Sequence, residues 1–212
     1  MSNDIKRVAI YSTAQRVTHW LIAGGTTFLL LSAWLVQHSD VNAIVWLDWH
    51  IMIGQALSLV LAYRVYLLFV PGSGHWRLLI PTREQRHIVL QTLKFYASLG
   101  RLPCPDWYAF NPVWQPFYLV VIIVMILTTI TGYLTGNLLF LSNFSMPELH
   151  AFFARIILYF TLAHLAFSIL HDIKGSGAQI SAMLNGYKYF QIKQVEKPQH
   201  ENAVSLDSLL KK

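Results

Sequence analysis

The chain has 212 residues, of which 55% are apolar and only 12% are charged, and its formal net charge is +6. Soluble domains usually have about a quarter of their residues charged, so this balance indicates an integral membrane protein. A single cysteine, Cys104, excludes an intramolecular disulfide framework and any CxxC motif. The Lys and Arg residues lie between apolar segments rather than on one soluble face, which argues against a nucleic-acid-binding protein.

Four apolar segments are long enough to cross a bilayer, whose hydrocarbon core of about 30 Å needs about 20 helical residues. Within them only Arg64 and Arg155 are charged. The segments cover approximately residues 17–36, 50–70, 113–136 and 149–170. We therefore predict an all-α fold, an integral membrane four-helix bundle in contact with lipid. It forms one domain over residues 1–190, followed by a polar cytoplasmic tail over residues 191–212.

The distribution of basic residues predicts the orientation of the bundle. The connections between the first and second segments and between the third and fourth contain no Lys or Arg, whereas the other connection and both ends contain several. Because positively charged loops stay on the cytoplasmic side, we expect both termini in the cytoplasm. The N-terminus lacks a charged start followed directly by an apolar run, so no signal peptide is predicted.

Two short helices are predicted on the cytoplasmic side. One covers residues 81–99, with Pro81 in its first turn and with Gly100 and Pro103 after its end. It either lies on the membrane surface or packs only against the protein. The other is a short interfacial helix around Ile180 that ends at Gly186.

Four of the nine histidines lie within or at the ends of the apolar segments, where ionisable groups are costly and tend to mark function. His150 and His164 are fourteen residues apart on one helix. That spacing puts them within about 40° of the same face and about 21 Å apart along the axis. His50 lies at the outer end, like His150, and His19 lies nearer the cytoplasm, like His164. One helix face therefore presents two ligands at two depths.

These depths predict an outer pair, His50 with His150, and an inner pair, His19 with His164. Each pair joins two helices, as ligation of a b-type haem by two histidines requires. A lone histidine at a helix end is more often a hydrogen-bonding residue. His171, on nearly the same face as His164, is the alternative inner ligand. A zinc or non-haem iron site would instead need three or four ligands at one point.

Three arginines are candidates for binding the haem propionates, because a guanidinium can donate two hydrogen bonds to a carboxylate. Arg155 lies near the outer level, and Arg64 and Arg16 lie near the inner one. The alternative for Arg64 and Arg16 is that their charged ends reach out to the membrane surface.

Several motifs resemble those of one protein family, the b-type cytochrome subunit of membrane-bound nickel-iron uptake hydrogenases. That family is related to the cytochrome b subunit of formate dehydrogenase and to bacterial cytochrome b561. The resemblance spans approximately residues 16–190. It is carried by RVTHW at 16–20, the segment 50–64, Asn111-Pro112, Thr131-Gly132-Tyr133, the pair His150 and His164, and MLNGY at 183–187.

The resemblance implies two haems b in a protein of the bacterial inner membrane. Periplasmic iron–sulfur and catalytic subunits would pass electrons to the outer haem, then to the inner haem, then to a quinone near the cytoplasm. Asn111 is the residue that we name for quinone binding, and a helix N-cap before Pro112 is the equal alternative.

Two departures from the family leave other functions open. The outer connection over residues 136–148 is short, and Phe110 replaces a histidine often found before the Asn-Pro motif. The alternatives are a stand-alone cytochrome b561-type quinone oxidoreductase, which could be a homodimer, and a subunit of another periplasmic dehydrogenase such as formate dehydrogenase. A transporter or membrane anchor with incidental histidines is the non-redox alternative.

Overall fold

The computed structural model describes residues 4–39, 41–136, 140–141, 143–174 and 179–192. Four long apolar helices form a bundle, and their outward-facing side chains are largely uncovered by protein, as expected for surfaces that face lipid. This confirms the predicted helical membrane architecture. The four long helices are α1 (Thr13–His38), α2 (Ala43–Phe69), α4 (Gln115–Thr135) and α5 (Met146–Lys174). The two shorter helices are α3 (Arg86–Ala97) and α6 (Gln179–Asn185).

The long helices differ from the predicted segments at their ends. α1 begins four residues before the predicted span, since the Ser12 side chain accepts a hydrogen bond from the backbone N–H of Gln15. α4 begins two residues later than expected. There Asn111 holds the preceding turn, with its backbone carbonyl accepting from the N–H groups of Trp114 and Gln115.

The bundle consists of two closely packed helix pairs, α1 with α2 and α4 with α5, with α2 also contacting α4. An apolar cluster of Leu61, Val124, Met125 and Ile157 joins α2 to the second pair. A second cluster packs the end of α2 and the following 3₁₀ turn, Trp76–Leu79, against the start of α4. The two pairs therefore enclose the bundle interior between them.

Helix α3 lies between α2 and α4 in the chain and follows a 3₁₀ turn, Arg83–Gln85. Thr92, Phe95 and Tyr96 are buried against the protein, whereas Leu90 and Leu93 are exposed. The helix therefore packs against the bundle on one face and leaves an apolar face uncovered on the other.

Two short antiparallel strand pairs accompany the helices. Strand β1 (Asp4–Ala9) pairs antiparallel with β4 (Tyr187–Ile192), and a small hairpin of β2 (Phe140–Leu141) and β3 (Phe144–Ser145) precedes α5. The first pairing puts both ends of the described chain on one side of the bundle. β4 also extends two residues into the predicted tail, and the rest of that tail, residues 193–212, lies outside the described residues.

Candidate functional site

Two histidine pairs face each other inside the bundle at two depths. The rings of His19 and His164 have centroids 6.2 Å apart and an interplanar angle of 71°. The rings of His50 and His150 are also 6.2 Å apart, at 81°. A metal–imidazole bond is about 2 Å long, so one metal held between two rings separates their centroids by about 6 Å. Both pairs therefore fit one iron with two axial histidines.

Hydrogen bonds orient the rings of the outer pair. His150 Nδ1 lies 2.9 Å from the carbonyl oxygen of Thr128, which can only accept, so Nδ1 carries the proton. His50 Nδ1 lies 2.9 Å from Ser32 Oγ, whose own proton goes to the carbonyl of Leu29. His50 therefore donates from Nδ1 as well. Both Nε2 atoms keep a lone pair for a metal, and such bonds raise the basicity of a ligating histidine.

Gly132 on α4 makes room for the ring of His150. A Cβ at this position would lie 3.0 Å from Cε1 of His150 and 3.2 Å from its Nδ1. Any larger residue would push the ring out of its place. The position of the His150 ring therefore depends on the absence of a side chain at residue 132.

The inner pair lies among aromatic rings. His164 stacks on Phe160, with the rings 5.8 Å apart and nearly parallel, and meets Trp114 and Tyr118 edge to face. On the other side, His19 lies edge to face with Trp20. These rings restrict the imidazole orientations at the inner position.

His171 is not in the inner pair, because both of its ring nitrogens are engaged elsewhere. Nε2 lies 2.8 Å from the hydroxyl oxygen of Tyr96, and Nδ1 lies 3.2 Å from Sγ of Cys104. The structure instead brings His164 opposite His19. Of the two histidines that the sequence allowed at this position, His164 is the one whose ring lies beside that of His19.

Asn111 has both ends of its side-chain amide in internal hydrogen bonds. Its Oδ1 accepts from the N–H of Val113 at 3.0 Å, and its Nδ2 donates to the Tyr96 hydroxyl at 2.7 Å. The residue is 7% exposed. The Asn111 side chain thus closes the turn that precedes α4, whose N-cap is Trp114, and adds a buried polar contact with Tyr96.

Arg64 is the arginine best placed for a haem propionate. Its Nη1 is buried and has no hydrogen-bond partner within the described part of the chain, and it packs against Gly74. The guanidinium lies within electrostatic range of His19. A buried guanidinium nitrogen without a partner is costly, so an anionic group near the inner pair would satisfy it.

Arg16 and Arg155 are used differently. The guanidinium of Arg16 donates to the backbone carbonyl of Leu184 and to the hydroxyl of Thr13. Arg155 is about 140° around α5 from His150, and it lies in an open groove of about 520 Å³ beside Glu148. Arg155 therefore lies on a different face of α5 from His150.

A cytoplasmic cap formed by α6 and the strands β1 and β4 holds the start of α1. Trp20 Nε1 donates to the carbonyl of Met183 at 3.2 Å, and the carbonyl of Gly186 accepts from two backbone N–H groups before α1. Helix ends leave carbonyls unpaired, so Trp20 and Arg16 complete the end of α6. His19 lies between them in sequence, and nothing local to the MLNGY motif predicted this contact.

Several supporting residues were missed by the sequence reasoning. Ser32 lies within an apolar segment, so its polarity was a usable signal, but its partner His50 is on another helix. Thr128 contributes only its backbone carbonyl, which no side-chain pattern marks. The geometry also limits the type of metal centre. Among the residues that the structure describes, no group of three or more His, Cys, Asp or Glu side chains could hold a metal. The two separate pairs fit haem iron and not a clustered non-haem site.

Comparison with known proteins agrees with this geometry. The family model for prokaryotic cytochrome b561 matches residues 10–186, which is most of the chain. No curated protein and no solved structure matches it. Members of the family are membrane cytochromes b of electron transfer and bind haem b, commonly two. With its four membrane-crossing helices, this chain is a multi-pass protein of the bacterial inner membrane, and it belongs to the prokaryotic cytochrome b561 family.

Proposed function

We propose that this protein carries electrons across the membrane through two haems b. His50 and His150 hold the outer haem, and His19 and His164 hold the inner one. The observation that carries the proposal is the presence of two histidine pairs with the same 6.2 Å ring separation. Both use α5, on which fourteen residues separate the two ligands by about 21 Å.

The haem iron, when bound, supplies the one-electron chemistry, and the chain controls its environment. The Nδ1–H bonds of His50 and His150 keep both Nε2 atoms available as ligands. Aromatic rings around His164 restrict its orientation. Arg64 offers a buried positive charge to an inner haem propionate.

We further propose that the inner haem exchanges electrons with a quinone near the cytoplasm. The outer haem would take electrons from the iron–sulfur subunit of a periplasmic dehydrogenase, and the sequence resemblance favours a nickel-iron hydrogenase. The absence of Lys and Arg from both outer connections supports this orientation. The quinone would lie beside Trp114 and the polar residues around Asn111.

A second candidate is a stand-alone cytochrome b561-type quinone oxidoreductase. The outer connections are short, since α1 and α2 are separated by four residues and α4 and α5 by ten. Little polypeptide therefore extends beyond the membrane to meet a periplasmic partner. Purification in mild detergent separates the candidates. Hydrogenase subunits in stoichiometric amounts support the first, and an isolated homodimer that exchanges electrons with quinol supports the second.

The haem assignment is tested by substituting one histidine of each pair. We expect His164→Ala to lose the inner haem and to keep the outer one, and His150→Ala to do the converse. The haem-to-protein ratio and the reduced-minus-oxidised absorption spectrum measure this. His87→Ala, an exposed histidine on α3, is the control. Two haems retained in His164→Ala, or no b-type band in haem-supplied wild-type protein, would contradict the assignment.

A further inference from the structure

A chain of hydrogen bonds begins at Tyr96, whose hydroxyl has three neighbours. Trp114 Nε1 lies 2.9 Å from the phenol oxygen and Asn111 Nδ2 lies 2.7 Å from it. Both are obligate donors, and the bond from Val113 to Oδ1 fixes the orientation of the amide. A phenol oxygen accepts two hydrogen bonds. Its own O–H must therefore point to the third neighbour, His171 Nε2, at 2.8 Å.

The positions of the next two protons, on His171 and Cys104, follow in the same way. Because Nε2 of His171 accepts, the proton of the neutral ring is on Nδ1, which donates to Sγ of Cys104 at 3.2 Å. The thiol then donates to the carbonyl of Pro105 at 3.6 Å. Burial raises the pKa of Cys104 to about 11 and that of Tyr96 to about 12, so both groups keep their protons at neutral pH. Three dissociable protons thus point in one direction.

The chain connects the inner histidine pair with the cytoplasmic loop. At one end, the Trp114 ring lies edge to face with His164, with centroids 6.2 Å apart. At the other end, Cys104 is half-buried in the loop between α3 and α4. His171 is only 4% exposed and Tyr96 is 9% exposed. A fully connected polar network in such a buried place is costly to assemble, which favours a functional use.

We propose that Tyr96, His171 and Cys104 form a proton relay between the quinone and the cytoplasm. The proposal rests on the proposed quinone exchange at the inner haem. Oxidation of one quinol gives a quinone, two electrons for the haem irons and two protons. Each of these protons arrives in turn at the Tyr96 oxygen as the Tyr96 proton passes to His171 Nε2. The Nδ1 proton of His171 passes to Cys104, and the thiol proton leaves to water.

Quinone reduction uses the same steps in reverse. The substrate hydroxyl reaches Tyr96 by replacing the N–H of Trp114, which is half-buried and lies between Tyr96 and His164. Asn111, which is buried, remains in place. At the cytoplasmic end, Lys188 and Asp106 act electrostatically on Cys104.

Lys188 and Asp172 act in the same way on His171. These charged groups border the outlet of the relay. They are the titratable groups whose protonation would modulate transfer at its cytoplasmic end.

Paired substitutions at Cys104 test the relay in the full-length, haem-loaded protein in liposomes. Cys104→Ala breaks the chain and Cys104→Ser restores an O–H in the same place. We expect haem reduction by decylubiquinol, and by menadiol in a parallel series, to be about tenfold slower or more in Cys104→Ala and Tyr96→Phe. Cys104→Ser should recover most of the rate. Tyr108→Phe, at an exposed tyrosine of the same loop, should match the wild type.

Two readouts separate proton transfer from structural damage. Dithionite supplies electrons without the relay, so it should reduce both haems equally fast in every variant. Because Cys104 is the only cysteine, its S–H stretching band is a unique infrared reporter, and it should shift when a non-reducible quinol analogue binds. Equal quinol rates in Cys104→Ala and the wild type, or an unchanged S–H band, would overturn the relay alone. Wild-type haems that dithionite reduces and neither quinol reduces would overturn the quinone proposal as well.

Discussion

His50 and His150 belong to different transmembrane helices, yet their rings face each other with centroids 6.2 Å apart. Each ring makes a hydrogen bond at Nδ1, His50 with the hydroxyl of Ser32 and His150 with the carbonyl of Thr128. These two bonds at Nδ1 therefore restrict the orientation of both rings. This preorganisation makes the outer pair sensitive to small changes in α4.

Gly132→Ala should disturb the outer pair specifically. The new Cβ would lie 3.0 Å from Cε1 of His150, closer than ordinary contacts, and a helix interior gives the ring little space to move. We expect loss of the outer haem or carbon monoxide binding to it, since a haem that loses one axial histidine becomes open to ligands. Gly136→Ala is the control, because its Cβ would meet nothing closer than 3.8 Å. If Gly132→Ala retained two haems and neither bound carbon monoxide, the proposed dependence of the His150 ring on Gly132 would be contradicted.

Arg64→Gln should lower the midpoint potential of the inner haem. A positive charge beside a haem stabilises the reduced state, and its removal is expected to cost on the order of 1 kcal/mol, or about 40 mV for one electron. A redox titration of the two b-type bands measures the shift, and Arg64→Lys should restore part of it. An unchanged midpoint potential of the inner haem, combined with a shifted potential of the outer haem, would show that Arg64 acts on the outer haem and would contradict the prediction.

Gly186→Ala should loosen the cytoplasmic cap and weaken the inner haem site. Gly186 has φ +87°, a conformation that costs other residues about 1–2 kcal/mol. A Cβ there would also lie 3.0 Å from the Tyr11 carbonyl oxygen. Because the cap holds residues on both sides of His19, we expect a lower thermal midpoint and loss of inner haem before outer haem. Gly24→Ala, which has open space for a Cβ, is the control, and simultaneous loss of both haems would argue against a local effect.

Lys188 should give the protein a stability that rises with pH. Burial lowers its pKa from 10.5 to about 8, although it donates to the Trp107 carbonyl. Above pH 8 the unfolded chain therefore holds more protons than the folded one, so the free energy of unfolding increases with pH. The raised pKa of Cys104 opposes this only above pH 9. Thermal unfolding in detergent should show the rise between pH 8 and 9, and Lys188→Met should abolish it.

Much of the site could be predicted because its signals are local. Hydropathy identified the membrane helices, and the spacing of His150 and His164 on one helix predicted two ligand levels. The partner of His164 was also predicted from depth, and the structure brings it opposite His19. Arg155 was assigned to the outer level from its depth alone, and that assignment stays a prediction, since helix geometry puts it about 140° around α5 from His150.

Other features depend on residues far apart in the chain. The pairing of β1 with β4 joins segments about 180 residues apart, and neither strand has a long alternating pattern of its own. His171 is distinguished from His164 by its neighbours. Tyr96 lies on α3 and Cys104 lies in the loop that follows α3, and both are far from His171 in the chain. No local pattern could assign these contacts.

The sequence by itself determined that the protein crosses the membrane four times and presents histidines at two depths, because apolar length and helical period are properties of single segments. Only the tertiary structure decided which histidine opposes which, that Asn111 is internally bonded, and that Tyr96, His171 and Cys104 share one directed hydrogen-bond chain. Those outcomes depend on how helices approach one another. Distances of a few ångströms between side chains on different helices are decided by packing and not by sequence spacing.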